Sequence, residues 1–311
     1  MRNAFNDAMC NIARKDPRVI LVVGDIGTIV FDSFRKDFPD RFLNAGVAEA
    51  NMIGMAAGLA LNGKIPFVYT INSFLALRAF EQLRDDVCFQ NVPVKFVGVG
   101  AGLSYGALGC THHTIEDIAM MRALPNMTLI SPCDPAEAKK VAEAVVDWPH
   151  PVYVRLAKAG EPTLTPKDAT FKIGQATLMR PGNDATIIAT GAIMVNVMAA
   201  AEALGKESLQ TRVINMHTIK PLDTRAIIAA AKETAAVVSV EEHNILGGLG
   251  SAVAETILEC ESLGKVGFKR LGIRDEFCHD YGSQTQLWDK YGLSVKTIID
   301  TVRALATRKT M

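Results

Sequence analysis

The chain has 311 residues, 49% of them apolar, which is enough for two globular domains with separate cores and excludes a disordered chain. Lys plus Arg (33) equals Asp plus Glu (33), so no net field draws the chain to nucleic acid or to an anionic membrane. Apolar runs such as Val19 to Val23 are too short to span a bilayer, and MRNAFNDAMCNIARKDP has acid and amide groups where a signal peptide is apolar, so a soluble cytoplasmic protein is expected.

In chain order, VILVV (19–23), FLN, a helix over 49–62, IPFVYT, a helix over 78–88 and VKFVGVG alternate short β-rich runs with helical patterns. TLISP, the helix AEAKKVAEAVV and the strand VYVRL continue the series. This predicts an α/β fold with a mostly parallel sheet and helices on both faces, and near-continuous apolar strands agree because such a sheet is covered on both sides. In open α/β sheets chemistry lies at the carboxyl ends of the strands, which directs attention to GDIG (24–27), NAGVAEA (44–50) and GAGLSYGALGCTHH (100–113). A first domain is expected over residues 1–158. The run AKAGEPTLTPKDATFK has no apolar period and reads as a linker, taken as 159–172. Residues 173–311 form a second, smaller α/β domain: DATIIAT, a helix through VNVMAAAEAL, QTRVINM, a helix from Asp223 to Glu233, AAVVSVEEH, a helix from Leu249 to Glu261, and helical stretches over 284–291 and 294–305. The six cysteines are scattered without a CxxC pair, and the adjacent His112 and His113 match no ligand spacing, so no metal site is expected within this chain.

The strongest chemical signal is RFLNAGVAEANMIGMAAGLALNG (41–63). Its Gly54, Ala56, Ala57, Gly58 and Ala60 let a helix pack closely, and Glu49 falls where the strand-to-helix turn ends. On local grounds alone, a Glu in a first helical turn is a partner for the helix dipole. The whole segment, however, resembles the pyrimidine-binding domain of transketolases and deoxyxylulose-phosphate synthases: a strand, a short turn with G(I/V)AE, and a helix rich in Gly, Ala and Met. The resemblance continues through RAFEQLRDDV (78–87), GCTHHTIEDIAMMRALPNMTLISPCDPAEA (109–138), VSVEEHNILGGLGSAVAE (238–255), RLGIRDEF and KYGLSVKTI, nearly the whole chain.

This resemblance implies a thiamine-diphosphate enzyme built from a pyrimidine-binding domain and a transketolase C-terminal-like domain. It implies that Glu49 hydrogen-bonds the ring nitrogen of the cofactor's aminopyrimidine, favouring the imino tautomer that takes up the thiazolium proton. His112 matches a His that faces the reacting sugar's oxygens, Phe74 an aromatic residue stacked on the pyrimidine, and Asp25 an acid near the cofactor; capping, core and turn roles are their plain alternatives. His113 stands where relatives carry Gln, and its role stays open. Several positions depart from the family pattern. Gly100 replaces a phosphate-contacting His, Leu108 an acid that reads a sugar hydroxyl, and Ile71 and Leu77 two aromatic cofactor contacts. Lys158 replaces an Arg that binds substrate phosphate, and Arg155 is close enough in sequence to share that task. The exchanges at Gly100, Leu108 and Lys158 fall on the substrate side, where a sugar or sugar phosphate binds, and leave cofactor activation intact.

No GDG string is present, and GDIG lacks the downstream metal ligands of the family. GGLG (247–250) reads as a packing cluster rather than an anion loop. The resemblance therefore implies a separate N-terminal transketolase subunit that holds the diphosphate and Mg2+ (or Ca2+/Mn2+), in an A2B2 assembly whose dimer interface runs through this chain. The expected activity is transfer of a two-carbon ketol unit from a ketose to an aldose. Its rivals are the β subunit of a 2-oxo acid dehydrogenase and a non-catalytic assembly or regulatory subunit.

Overall fold

The computed structural model describes residues 1–27 and 29–307. The first half runs α1 (Arg2–Lys15), β1 (Val19–Val23), α2 (Asp32–Asp37), β2 (Phe42–Asn44), α3 (Glu49–Leu61), β3 (Ile65–Ile71), α4 (Asn72–Arg78), α5 (Phe80–Gln82), β4 (Lys95–Val99), α6 (Asp117–Ala123), β5 (Thr128–Ile130), α7 (Pro135–Val145) and β6 (Val152–Leu156). The second half runs β7 (Thr177–Arg180), β8 (Ala185–Thr190), α8 (Met194–Lys206), β9 (Thr211–Asn215), β10 (Thr218–Lys220), α9 (Thr224–Glu233), β11 (Ala236–Asn244), α10 (Leu249–Glu259), β12 (Gly267–Ile273), α11 (Gln284–Lys290) and α12 (Val295–Ala306).

Strands β1 to β6 pair in parallel, and the sheet reads β10-β5-β6-β4-β3-β1-β2. β1, β4 and β6 are buried along their whole length, which is why their sequences carry no polar alternation. One face packs on α1 and α7 through Phe5, Met9, Phe67 and Val141; the other packs on α3 and α4 through Met52, Ile53, Ala56 and Leu75. The second sheet reads β12-β11-β8-β9-β7, with only β7 antiparallel to its neighbour.

Several elements depart from the sequence expectations. The helix expected over 78–88 is preceded by α4, which starts at Asn72, so Phe74 stands on a helix rather than on a loop after a strand. Ala79, at φ −122° and ψ 26°, leaves the helical region and separates α4 from α5, which runs into a π-helical turn over Leu83–Phe89. β7, β10 and β12 are short or half-buried and lack the apolar run that marks the others. β10 belongs to the second half of the chain yet extends the first sheet, antiparallel to β5. Residues 159–172 contain no helix or strand, but they are fastened down: the Leu164 and Thr165 amides donate to Asp134 Oδ2 at 2.7 and 2.5 Å, and the Phe171 ring lies 4.4 Å from His217. Among the described residues no helix is long and apolar enough to cross a membrane.

Candidate active site

The carboxyl ends of the first sheet's parallel strands lead directly into the segments that carry the expected site residues. Glu49 is the first residue of α3 and only 3% exposed. Its carboxylate accepts from Arg78 Nη1 at 3.2 Å (Oε2) and 3.4 Å (Oε1). Arg78 ends α4, one helical turn beyond Phe74, and that spacing brings its guanidinium 3.9 Å over the Phe74 ring. The His112 ring meets Phe74 edge-on at 5.2 Å, with its Nδ1 3.0 Å from Thr111 Oγ1. On its other side His112 lies 6.1 Å from the Tyr105 ring, and Lys158 Nζ stands 5.0 Å over that ring. Glu49, Arg78, Phe74, His112, Tyr105 and Lys158 thus form one unbroken line of contacts across elements far apart in sequence.

The other expected positions sort around this line. Asp25 follows β1 in the left-handed region (φ 55°) and exchanges two bonds with Asn44: its amide donates to Oδ1 at 3.1 Å and its Oδ1 accepts from Nδ2 at 2.9 Å. It ties the ends of β1 and β2 together and is exposed to solvent. Ile71 closes β3, half-buried, and Leu77 is 50% exposed on the helix that carries Phe74. Leu108 is 50% exposed in the loop before His112. Gly100 directly follows β4 at φ 92°, where a Cβ would fall 2.1 Å from Tyr105 Cε2.

Arg155 is a correction. Rather than joining Lys158, it is 2% exposed, paired with Asp117 Oδ2 at 2.8 Å, and donates to the carbonyls of Thr114 (2.8 Å) and Glu242 (2.9 Å). β6 alternates its side chains, and residue 155 falls on the side turned to the second half of the chain. His113 also turns inward, where burial pulls its pKa down against the opposing pull of the Gly106 and Cys278 backbones.

The loop carrying Tyr105 and His112 is held from the second half of the chain. Buried Glu242 accepts from the Leu103 amide at 2.7 Å and from Gln284 Nε2 at 2.9 and 3.0 Å; the same Gln284 nitrogen reaches Ser104 Oγ at 3.1 Å. Gly102 lies against Glu242 so tightly that a Cβ would be 2.3 Å from its Cδ. Burial raises the Glu242 carboxyl above its ordinary pKa. Asp117 completes the join, accepting from Asn72 Nδ2 at 2.8 Å as well as from Arg155. At GGLG the amides of Leu249 and Gly250 both donate to Glu241 at 2.7 Å, so a carboxylate of the chain itself fills that helix N-terminus; burial lifts Glu241 to about 7.

Chemically, the line offers a buried carboxylate, an aromatic face beside it, an imidazole and an ammonium group in sequence. A flat nitrogen heterocycle fits the first two: Glu49 to bond a ring nitrogen and Phe74 to stack. Among the described residues no group of three or more His, Cys, Asp or Glu is arranged to hold a metal ion. Sequence reasoning missed Arg78, Tyr105 and Glu242. Arg78 was within reach, since it stands four residues after Phe74; Tyr105 and Glu242 gain their roles only through loop and interdomain packing.

Known proteins share this framework. Residues 1–161 match the transketolase pyrimidine-binding domain and residues 174–298 the transketolase C-terminal domain. The chain is 37% identical to one subunit of the apulose-4-phosphate transketolase of Phocaeicola vulgatus, covering 96% of this chain and 95% of the relative. It is 36% identical to a 6-deoxy-6-sulfo-D-fructose transketolase subunit of a Clostridium species, covering 99% and 95%. A solved split-gene transketolase, described as an inactive β4 tetramer, superposes with a TM-score of 0.88 at 36% identity over 98% of this chain and 97% of its own. The chain belongs to the transketolase family, as the subunit of a split transketolase-type enzyme that carries the pyrimidine-binding and C-terminal domains.

Proposed function

We propose that this chain supplies the pyrimidine half of an active site that moves a two-carbon ketol unit from a ketose to an aldose. The observation that carries the reading is Glu49, a carboxylate buried at the start of α3 and joined through Arg78 to the Phe74 ring. Thiamine diphosphate, when bound, supplies the carbanion chemistry. Glu49 holds a proton at the pyrimidine ring nitrogen, Phe74 provides a stacking wall with Ile71 and Leu77 at its margin, and Asp25 with Asn44 fixes the neighbouring strand ends. Arg78 now makes both contacts that the pyrimidine needs, so it swings aside when the ring enters. His112 faces the donor's oxygens. Lys158, exposed and without a carboxylate partner among the described residues, is the cation for an anionic distal group, with Gly100 and Leu108 on the same side. Two relatives named for a phosphorylated and a sulfonated ketose put anionic ketoses first among donors to test.

The diphosphate and its divalent cation belong to a separate N-terminal subunit in this reading, two copies of each chain forming the assembly. In this reading the chain divides into 1–158 and 173–311, a division supported by the two sheets apart from β10, which crosses between them. The test is co-expression with the diphosphate-binding subunit and a screen of ketose donors with thiamine diphosphate and magnesium. The complex is expected to release an aldose and extend an acceptor, and this chain alone to show no turnover. Full transfer by the lone chain contradicts the shared site.

A further inference from the structure

Tyr105 fits none of the expected roles, yet it touches three positions expected to meet the substrate. Its ring presses on Gly100 so closely that a Cβ there would lie 2.1 Å from Cε2. It meets His112 at 6.1 Å between centroids and carries Lys158 Nζ 5.0 Å over its face. Gly100, at φ 92°, adopts a conformation that side-chain-bearing residues rarely take, so the main chain leaving β4 keeps this space free and the tyrosine fills it. A tyrosine has only two side-chain torsions, and this one is contacted from the strand end, from His112 and from Lys158. It is a wall rather than a loose cover. Its phenol has no hydrogen-bond partner among the described residues, and burial raises its pKa against the opposing pull of Arg2.

We propose that Tyr105 is the specificity-determining residue for the donor: its ring closes the space beyond Gly100 and limits the length of ketose that can reach His112 while its distal end lies at Lys158. The proposal rests on the ketol-transfer reading, and the donors it selects are short ketoses over long ones. His112 sets one end of the donor and Lys158 the other, and the Tyr105 ring lies between them where extra carbons of a longer sugar would pass.

The test compares wild type, Tyr105→Ala and Tyr105→Phe in the complex with the diphosphate-binding subunit, using a pentulose phosphate and a heptulose phosphate. Two readouts are taken: the ratio of kcat/KM for the two donors, and the ratio of their equilibrium affinities by calorimetry, which needs no turnover. Tyr105→Ala is expected to raise the heptulose-to-pentulose ratio at least ~tenfold in both, because room for whole carbons is opened. Tyr105→Phe retains the ring and is expected to keep the wild-type ratio. An unshifted ratio in Tyr105→Ala, or an equal shift in Tyr105→Phe, overturns the role given to the ring while leaving ketol transfer standing. If neither sugar binds wild type or any variant, the length limit assigned to Tyr105 fails, while ketol transfer itself is judged by the donor screen of the complex.

Discussion

Arg78 shows what a single residue does to the candidate site. Its guanidinium is planar and cationic, lies over Phe74 at 3.9 Å and bonds Glu49 at 3.2 Å, so it imitates the stacking and the hydrogen bond of an aminopyrimidine. Its side chain is 49% exposed, which screens the ion pair and keeps it modest. Replacing it by Met removes the competitor while keeping apolar bulk. Arg78→Met is therefore expected to tighten thiamine diphosphate binding in the complex by up to about tenfold, the equivalent of ~1.4 kcal/mol, measured by calorimetric titration. Weaker binding would show that Arg78 supports the cofactor instead of standing in its place. The roles expected of Glu49 and Phe74 came from the resemblance of their segments to the transketolase pyrimidine-binding domain; on local grounds an acid in a first helical turn is a dipole partner and a Phe after a strand is core. Arg78 and Tyr105 needed the packing to reveal what they touch.

At the scale of elements, the loop over residues 100–114 is placed by side chains from β6, α6, β11 and α11 rather than by its own sequence. The Arg155 and Asp117 pair is its anchor, buried at 2% and 0% exposure. Removing one member strands the other charge, so Arg155→Met is expected to cost about 3–5 kcal/mol in urea unfolding, and a change within ~1 kcal/mol would contradict the anchor. The buried histidines add a pH dependence. Desolvation lowers His217 and His243 to about 4 from 6.5. The folded pKa lies below the unfolded one, so their stabilising share is complete above 6.5 and is lost as pH falls toward 4. His217→Gln is expected to flatten the loss of stability between pH 7 and about pH 5, and an unchanged slope contradicts a neutral His217. The long, buried parallel strands could be read from their apolar runs. β7, β10 and β12 could not, because β10 has only three residues and the edge strands β7 and β12 are half-buried, so none carries such a run. The assignment of Arg155 to the substrate failed for a related reason: nearness in sequence says nothing about which side of a strand a residue takes.

At the scale of the molecule, the two halves are interlocked by β10 on the first sheet and by the Glu242 and Gln284 clamp on the His112 loop. The C-terminal half therefore helps place the loop that carries Tyr105 and His112. The family was legible because the resemblance ran over nearly the whole chain, whereas the donor was not, because its determinants are exchanged positions whose neighbours only the fold assembles. The central claim is that Glu49 activates the cofactor from this chain. It is tested most directly by the rate at which the thiazolium C2 proton of bound thiamine diphosphate exchanges with deuterium, followed by NMR in the complex with the diphosphate-binding subunit. Glu49→Gln is predicted to slow that exchange by ~10²- to 10⁴-fold with the cofactor still bound, and an exchange rate equal to that of wild type would contradict the account.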